Sequence, residues 1–451
     1  MLIRGDARST PLRDETVQCV VTSPPYWGLR DYGFGKDALG LEPTPELYVQ
    51  HVVEIFREIR RVLRPDGTVW LNMGDSFYQG GKGNSGELLP SDKQSSNAGS
   101  LSTRRGDGLG PNRKKLPTNN LQLKALDRCD IPGDVARALR ADGWYWRQTI
   151  IWEKANPMPE SVNGWRWERH RMKTGRSTAT QYKPAGWDSR EQTHDALAGN
   201  YQDRQHEPTW QGCPGCEKCT PNDGLVLRKG AWRPATAHEY IFLLTKSDTY
   251  YCDAEAVKEP SDPANWRYGS GERKYESGNT GLSPRTGLQP VQRLLRNLRS
   301  VWRFPSQAMT AWACVHCGHV SDPRPPNKQC PQCGTLEWVS HFAAFPEELP
   351  ERCIRAGTSE KGCCPKCGAP WARVLDGKEK MGWSQTLGWR ATCQCNASDP
   401  IPCLVLDPFA GTGTVGRVAE RLNRRWVCLD LKYHALSAKR TTDVQKELAN
   451  F

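Results

Sequence analysis

The sequence predicts an α/β fold. Three observations carry that expectation. The first 75 residues read as strand, helix, strand. The last 50 read as strand, glycine turn, helix, strand. Between them, apolar core-like segments alternate with polar, cysteine-bearing inserts.

Val17 to Thr22 is a short apolar run that ends at two prolines, as a buried strand would. Thr44 and Pro45 then open a helix, with threonine as N-cap and proline in the first turn. Tyr48, Val52, Ile55, Phe56, Ile59, Val62 and Leu63 recur at three- and four-residue steps and mark its buried face. Asp66-Gly67 makes a turn, and Thr68 to Met73 returns as a strand. Gln79 to Asn120 is rich in Gly, Ser, Asn and Lys without periodicity, which reads as a mobile loop. Regular structure resumes as a helix over Ile131 to Ala141 and strands over Trp144 to Trp152 and Glu239 to Thr245. Near the C-terminus, Cys403 to Leu406 reads as a strand, Gly413 to Asn423 as a helix and Trp426 to Leu429 as a strand.

The chain has 451 residues, enough for one catalytic-sized core plus insertions, and its 37% hydrophobic content fits a core diluted by polar inserts. A net charge of +12 favours a polyanionic partner, although a membrane surface would also fit. No stretch approaches the ~20 apolar residues of a membrane span, and Met1 to Thr10 lacks the apolar core of a signal peptide. These features predict a cytosolic protein. In that reducing setting the 18 cysteines read as metal ligands where they pair up. Several of the 18 tryptophans sit beside arginines, as at Trp146-Arg147, Trp165-Arg166-Trp167 and Trp302-Arg303. They suit either base stacking or local packing.

Two motifs carry chemistry. Leu404-Val405-Leu406-Asp407-Pro408-Phe409-Ala410-Gly411-Thr412-Gly413-Thr414 is a strand, an acidic residue, a glycine turn and a helix start. Gly411 and Gly413 let the backbone approach a ligand closely. The following strand ends at Asp430, where an acid would accept hydrogen bonds from ribose hydroxyls. Asp407 in the turn would repel a pyrophosphate but suits a cationic ligand, which points to S-adenosylmethionine rather than a nicotinamide dinucleotide. The second motif is Thr22-Ser23-Pro24-Pro25-Tyr26-Trp27. Its prolines stiffen the backbone and fix the carbonyls and the Ser23 hydroxyl beside an aromatic ring. Such rigid acceptors suit an exocyclic amino group, with Tyr26 stacking on the base.

Together these motifs resemble the amino-methylating DNA methyltransferases, which make N4-methylcytosine or N6-methyladenine. With the Ser-Pro-Pro-Tyr turn first and the glycine turn last, the order is similar to the permuted beta group. Gly5-Asp6, Leu63-Arg64-Pro65-Asp66-Gly67, Trp152-Glu153-Lys154-Ala155-Asn156-Pro157 and His341 to Leu349 follow in the matching order, and the likeness covers about half of the chain. The resemblance implies a Rossmann-like, S-adenosylmethionine-dependent fold with a mostly parallel seven-stranded sheet. It implies that Asp407, Pro408, Phe409, Gly411 and Gly413 line the methionine end of the cofactor. Asp430 would hold the ribose, Asp6 the adenine, and Phe345, Pro346 and Glu347 would close the pocket. Ser23, Pro24, Pro25 and Tyr26 would hold a base flipped out of double-stranded DNA. Ser23 Oγ and the Pro24 carbonyl would accept the two amino protons, and transfer would be direct, with no covalent enzyme intermediate. Cys19 is accordingly expected in the core. A serine at position 23 accompanies cytosine N4 in this family more often than adenine N6, so cytosine is the expected base and adenine the alternative. A non-catalytic, zinc-containing DNA-binding protein is the further alternative, set against two intact motifs. A cognate restriction enzyme would be a natural partner in a prokaryotic or phage-infected cell.

The remaining cysteines form three groups. Cys314, Cys317, Cys330 and Cys333 have four-thiolate zinc-ribbon spacing. Cys364, Cys367, Cys393 and Cys395 form a second set, with Cys363 as a stand-in. Cys213, Cys216 and Cys219 lack an evident fourth ligand, for which His206, His194 and Cys252 are candidates. The expected layout is core over 1–78, mobile loop 79–127, core 128–158 and a recognition insert with the first cysteine cluster at 159–235. A core strand at 236–258, a variable linker 259–310, a zinc ribbon 311–338, core 339–358, a second ribbon 359–400 and core 401–451 complete it. The zinc would be structural, bracing inserts too small to bury a core of their own.

Overall fold

A computed structural model describes residues 1–28, 39–78, 123–124, 127–157, 164–173, 210–260, 295–305, 312–314, 316–317, 319–321, 325, 329–336, 338–340, 345–377, 384–431, 437–438 and 441. The mobile loop expected at 79–120, most of the variable linker, and the candidates His194 and His206 lie outside the described residues.

Eight strands form the central sheet. In chain order they are β1 (Leu2–Ile3), β2 (Val17–Thr22), β3 (Leu63–Met73), β4 (Tyr145–Lys154), β5 (His238–Thr245), β6 (Val301–Phe304), β7 (Leu404–Asp407) and β8 (Arg425–Leu429). Their spatial order is β1-β8-β7-β2-β3-β5-β4-β6. Every neighbouring pair is parallel except those of β5, which runs antiparallel to both β3 and β4. The resemblance implies seven strands, and the sequence itself marks six; β1, a two-residue strand, and β6 at the other edge, inside the stretch read from composition as a linker, are not among them. β6 is too short and too rich in exposed positions to show an apolar run.

Among the described residues, the helices that cover the sheet are α1 (Pro45–Val62), α2 (Ile131–Ala141), α3 (Glu348–Gly357) and α4 (Thr414–Arg421). Thr44 caps α1 by accepting a hydrogen bond from Leu47 N, and the buried face of α1 is the predicted stripe. Leu63 belongs to β3 rather than to the helix, because its backbone is already extended (φ −72°, ψ 137°) and pairs with Val17.

All six residues of β2 are buried, which requires cover on both faces. The alternation of side chains delivers it. Val20, Val69, Leu71, Phe242 and Leu244 face the cluster built with α1 and α2. Cys19, Val21, Trp70, Ile241 and Leu243 face the cluster built with α3 and α4. The sheet is thus doubly wound, as the Rossmann-like expectation requires. Residues 157–237 form a separate compact unit. It contains two two-stranded ribbons, Arg166–Arg169 with Leu225–Arg228 and Arg171–Lys173 with Trp210–Gly212. No helix among the described residues is long and apolar enough to cross a membrane.

Gly357 shows how closely α3 approaches the sheet. A Cβ there would lie 2.5 Å from Thr68 Oγ1 and 2.8 Å from Cys19 Sγ. Gly357→Ala is therefore expected to destabilise the fold by about 1–3 kcal/mol through overpacking. Urea unfolding measures this, and an unchanged midpoint would show that the contact relaxes without cost.

Candidate functional site

Parallel strands bring their carboxyl ends to one edge of the sheet. Ile3, Leu429, Asp407 and Thr22 end the adjacent strands β1, β8, β7 and β2. The residues that follow these strands are the two predicted motifs and two predicted acids. Segments from opposite ends of the chain therefore meet there.

Asp407 closes β7 and is buried. Its Oδ1 accepts hydrogen bonds from Thr22 Oγ1 at 2.8 Å and from Phe409 N at 3.0 Å. Both donors are neutral, and burial pushes the Asp407 carboxyl up to about 7. Gly411 and Gly413 have φ of 49° and 77°, the left-handed region that glycine adopts without strain. Asp430 Oδ2 accepts from Gly411 N at 2.9 Å, so this acid shapes the turn itself. At Gly413 a Cβ would collide with Ser437, which makes the glycine necessary to local packing as well as to the turn. Asp6 lies just beyond β1 and is ion-paired with Arg8 at 2.7 Å, which holds its carboxyl below the usual range. Pro408 is buried and Phe409 packs against the core. Phe345 and Pro346 are buried, Phe345 in the cluster with α3 and α4, and Glu347 pairs with Arg417 and Arg421 at 3.0 and 2.6 Å.

The Ser23-Pro24-Pro25-Tyr26 turn follows β2. Tyr48 of α1 donates its hydroxyl to the Pro25 carbonyl at 2.9 Å. Trp27 is buried and donates its indole N–H to the Glu42 carbonyl at 3.0 Å. Beneath the turn runs a chain of hydrogen bonds. Ser23 Oγ donates to the Tyr26 hydroxyl (3.1 Å), which donates to Glu239 Oε2 (2.8 Å). Asn72 Nδ2 donates to both the Tyr26 hydroxyl (2.9 Å) and Glu239 Oε2 (2.8 Å). Lys154 Nζ binds Glu239 Oε1 at 2.6 Å. Gly74 leaves room for the Tyr26 ring, since a Cβ there would sit 2.7 Å from its Cε2. Burial and the neighbouring Glu239 charge hold the Tyr26 phenol well above its usual value, so it stays a donor.

Sequence reasoning missed Asn72, Glu239 and any role for Lys154. Each ends or begins an apolar strand and looks like an edge residue. The chain alone gives no register between β4 and β5, where Trp152 faces Glu239. Cys19 is fully buried with its thiol pushed up to about 12, as expected of a core residue.

The structure assembles all three cysteine groups, with ligand atoms within 4.8 Å of one another. Cys395 completes the 364/367/393 set. The stand-in Cys363 is turned toward the Pro402 carbonyl and Cys403 instead. Cys252 does not join Cys213, Cys216 and Cys219; His170 does.

A family model described as DNA methylase, of the N6/N4 type, matches residues 17–364 and 396–439. A type II methyltransferase of Xanthomonas campestris pv. cyanopsidis is 28% identical over 97% of this chain and 86% of its own length. One of Serratia marcescens is 28% identical over 97% of this chain and 89% of its own. A solved DNA methyltransferase titled cytosine-N4-specific covers 100% of this chain and 92% of its own, at 14% identity and a TM-score of 0.43.

Asp407 gives a pH test. Near its ordinary value of 3.8 the carboxyl protonates in the unfolded chain. As pH rises from there toward 7 the unfolded chain ionises while the folded one keeps its proton, so stability falls. Above 7 both states are ionised and the penalty stays constant. Asp407→Asn should therefore be more stable than the unmodified, ligand-free chain at pH 8, by up to roughly 4 kcal/mol. The gap should close toward pH 4. Denaturant unfolding across that range decides it, and a pH-independent gap would refute the buried, uncompensated charge.

Proposed function

The chain belongs to the N6/N4 DNA methylase family, and from that premise we propose that it methylates the N4 amino group of cytosine in a specific double-stranded DNA sequence. The observation that carries the reading is the proton chain under the Ser-Pro-Pro-Tyr turn. The Ser23 proton is committed to Tyr26, and the Tyr26 proton to Glu239. Ser23 Oγ is then left with lone pairs only and acts as an acceptor. An exocyclic amine flipped into the site would give one proton to Ser23 Oγ and the other to the Pro24 carbonyl. That draws the nitrogen lone pair out of the ring and readies it as a nucleophile. As positive charge grows on the nitrogen, Ser23 faces it, backed through Tyr26 by the Glu239 carboxylate. Glu239 is a positioning residue in this scheme, and Lys154 and Asn72 hold it in place.

S-adenosylmethionine, when bound, supplies the electrophilic methyl group. The residues fit it. Asp407 is a buried acid with only neutral partners described for it, which a cationic ligand would compensate. Gly411 and Asp430 set the turn beside it. Phe409, Phe345, Pro346, Glu347 and Asp6 are proposed to complete the pocket.

Serine at position 23 supports cytosine. The alternative is adenine N6. Single-molecule sequencing of DNA from cells expressing the chain, beside an empty-vector control, separates the two. Modified cytosine in a recurring motif is the expected outcome. Modified adenine would reverse the assignment, and unmodified DNA would overturn the activity. The type II designation of the relatives supports a companion restriction enzyme. Cys314, Cys317, Cys330 and Cys333, and Cys364, Cys367, Cys393 and Cys395, are proposed as structural zinc sites. Their sulfurs sit 3.5 and 3.6 Å apart in the pairs Cys314–Cys333 and Cys317–Cys330. A tetrahedron with Zn–S bonds of about 2.3 Å has comparable edges.

Ser23→Ala should lower kcat about ten- to hundredfold with S-adenosylmethionine affinity retained; unchanged turnover would remove Ser23 from the mechanism. Glu239→Gln should lower kcat about tenfold alone and add little in a Tyr26→Phe background, because both act through one chain. Additive effects in that cycle would break the proposed relay. Asp407→Asn should weaken S-adenosylmethionine binding at least tenfold by calorimetry, and retained affinity would take Asp407 out of the cofactor site.

A further inference from the structure

The described residues of the unit 157–237 have almost nothing to fold around. Among its described residues only Cys219 is buried. Its two ribbons pair four and three residues per strand, and isolated two-stranded ribbons of that size are marginal in water. Apolar burial among the described residues does not hold them. His170 lies between the two ribbons, joining the strand Arg166–Arg169 to Arg171–Lys173. Its backbone is fixed on both sides, donating to the Gly224 carbonyl at 2.9 Å and accepting from Cys213 N at 3.0 Å. Its Nδ1 is 3.3 Å from Cys216 Sγ, and Cys216 Sγ is 3.7 Å from Cys219 Sγ. That separation is far beyond a disulfide of about 2.05 Å, and three thiols cannot all pair. Tight turns present the thiols together. Cys219 N and Thr220 N both donate to the Cys216 carbonyl, and Gly215 takes φ 131°.

We propose that His170, Cys213, Cys216 and Cys219 bind one zinc ion that folds this unit, and that the folded unit is a DNA-contacting module. The donor set is three thiolates and an imidazole with no open position, which is structural-zinc chemistry. The partner follows from what the described residues of the unit expose, and it rests on the DNA methyltransferase reading above. Trp165, Trp167, Trp210 and Trp232 are 68, 52, 54 and 71% exposed. Lys229 Nζ stands 4.8 Å from the Trp165 ring, and Arg169 and Arg171 are exposed on the same ribbons. Exposed indoles interleaved with cations suit a polyanion that carries flat bases.

The experiment compares full-length protein with the variants His170→Ala and His170→Cys. Zinc per chain is measured by mass spectrometry of the metal, and DNA and S-adenosylmethionine affinities by titration. His170→Ala should lose about one zinc per chain and bind DNA at least tenfold more weakly, with S-adenosylmethionine affinity unchanged. His170→Cys, which keeps four ligands, should restore both. Equal zinc content in all three proteins would overturn the site. Zinc lost without a change in DNA affinity would overturn the DNA-contacting role. Unchanged S-adenosylmethionine binding keeps either failure separate from failure of the methyltransferase reading.

Discussion

One hydrogen bond joins the two ends of this chain's chemistry. Thr22 Oγ1 donates to Asp407 Oδ1 across a sequence separation of 385 residues, inside the core. It exists because β2 and β7 lie side by side and parallel, with Val405 opposite Cys19 and Leu406 opposite Val20. That register puts the Ser-Pro-Pro-Tyr turn and the glycine turn at the ends of neighbouring strands, about 4.8 Å apart in the sheet. A slip of one residue would turn every side chain of β2 to the opposite face. It would also leave Asp407 without its buried donor. The site depends on that pairing, and the pairing depends on helices covering both faces of β2.

Much of this was legible in the sequence. The helix cap at Thr44, the stripe of α1 and the two motif turns are local signals, each written in a few adjacent residues. So was the grouping of the cysteines. What failed to show was information that only the sheet register contains. Glu239 looks like a charge at the start of a strand and Lys154 like one at the end of another. Only the antiparallel pairing of β4 with β5 brings the two into an ion pair. His170 escaped for a related reason. It stands far from its cysteines in sequence and belongs to no spaced motif, so nearer candidates drew attention. The strand β6 was hidden because an edge strand with alternate exposed positions has a composition like a linker.

The inserts show a second economy. A core assembled from separated segments leaves long excursions between strands, and short excursions cannot bury enough apolar surface to fold unaided. Among the described residues, three clusters of metal-type ligands occur in such excursions. One of them also touches the core: Arg64 in β3 bonds the Cys367 carbonyl and pairs with Asp66. Under the proposed zinc reading, a bound metal at each cluster would substitute for apolar volume and leave the outer surface of the insert free for contact.

Two acids of the site, Asp407 fully buried and Glu239 partly so, divide the electrostatic task. Glu239 is matched before any ligand arrives, by the Lys154 ammonium and by donors from Tyr26 and Asn72. Asp407 has no such cation among its described partners, and burial holds its proton to about 7. An acid already paired cannot gain much from a cationic ligand, because its charge is neutralised at home. An unpaired one gains the full interaction in a low-dielectric setting, at the expense of stability while the ligand is absent. Under the proposed reading the sheet therefore presents one carboxylate that organises acceptors for the amine and another kept bare for the sulfonium cofactor. Exchanging their environments would disable both, since the amine would lose its fixed acceptor and the cofactor its counter-charge. The spacing of the two motifs along the chain hides this division, and the order of the strands makes it.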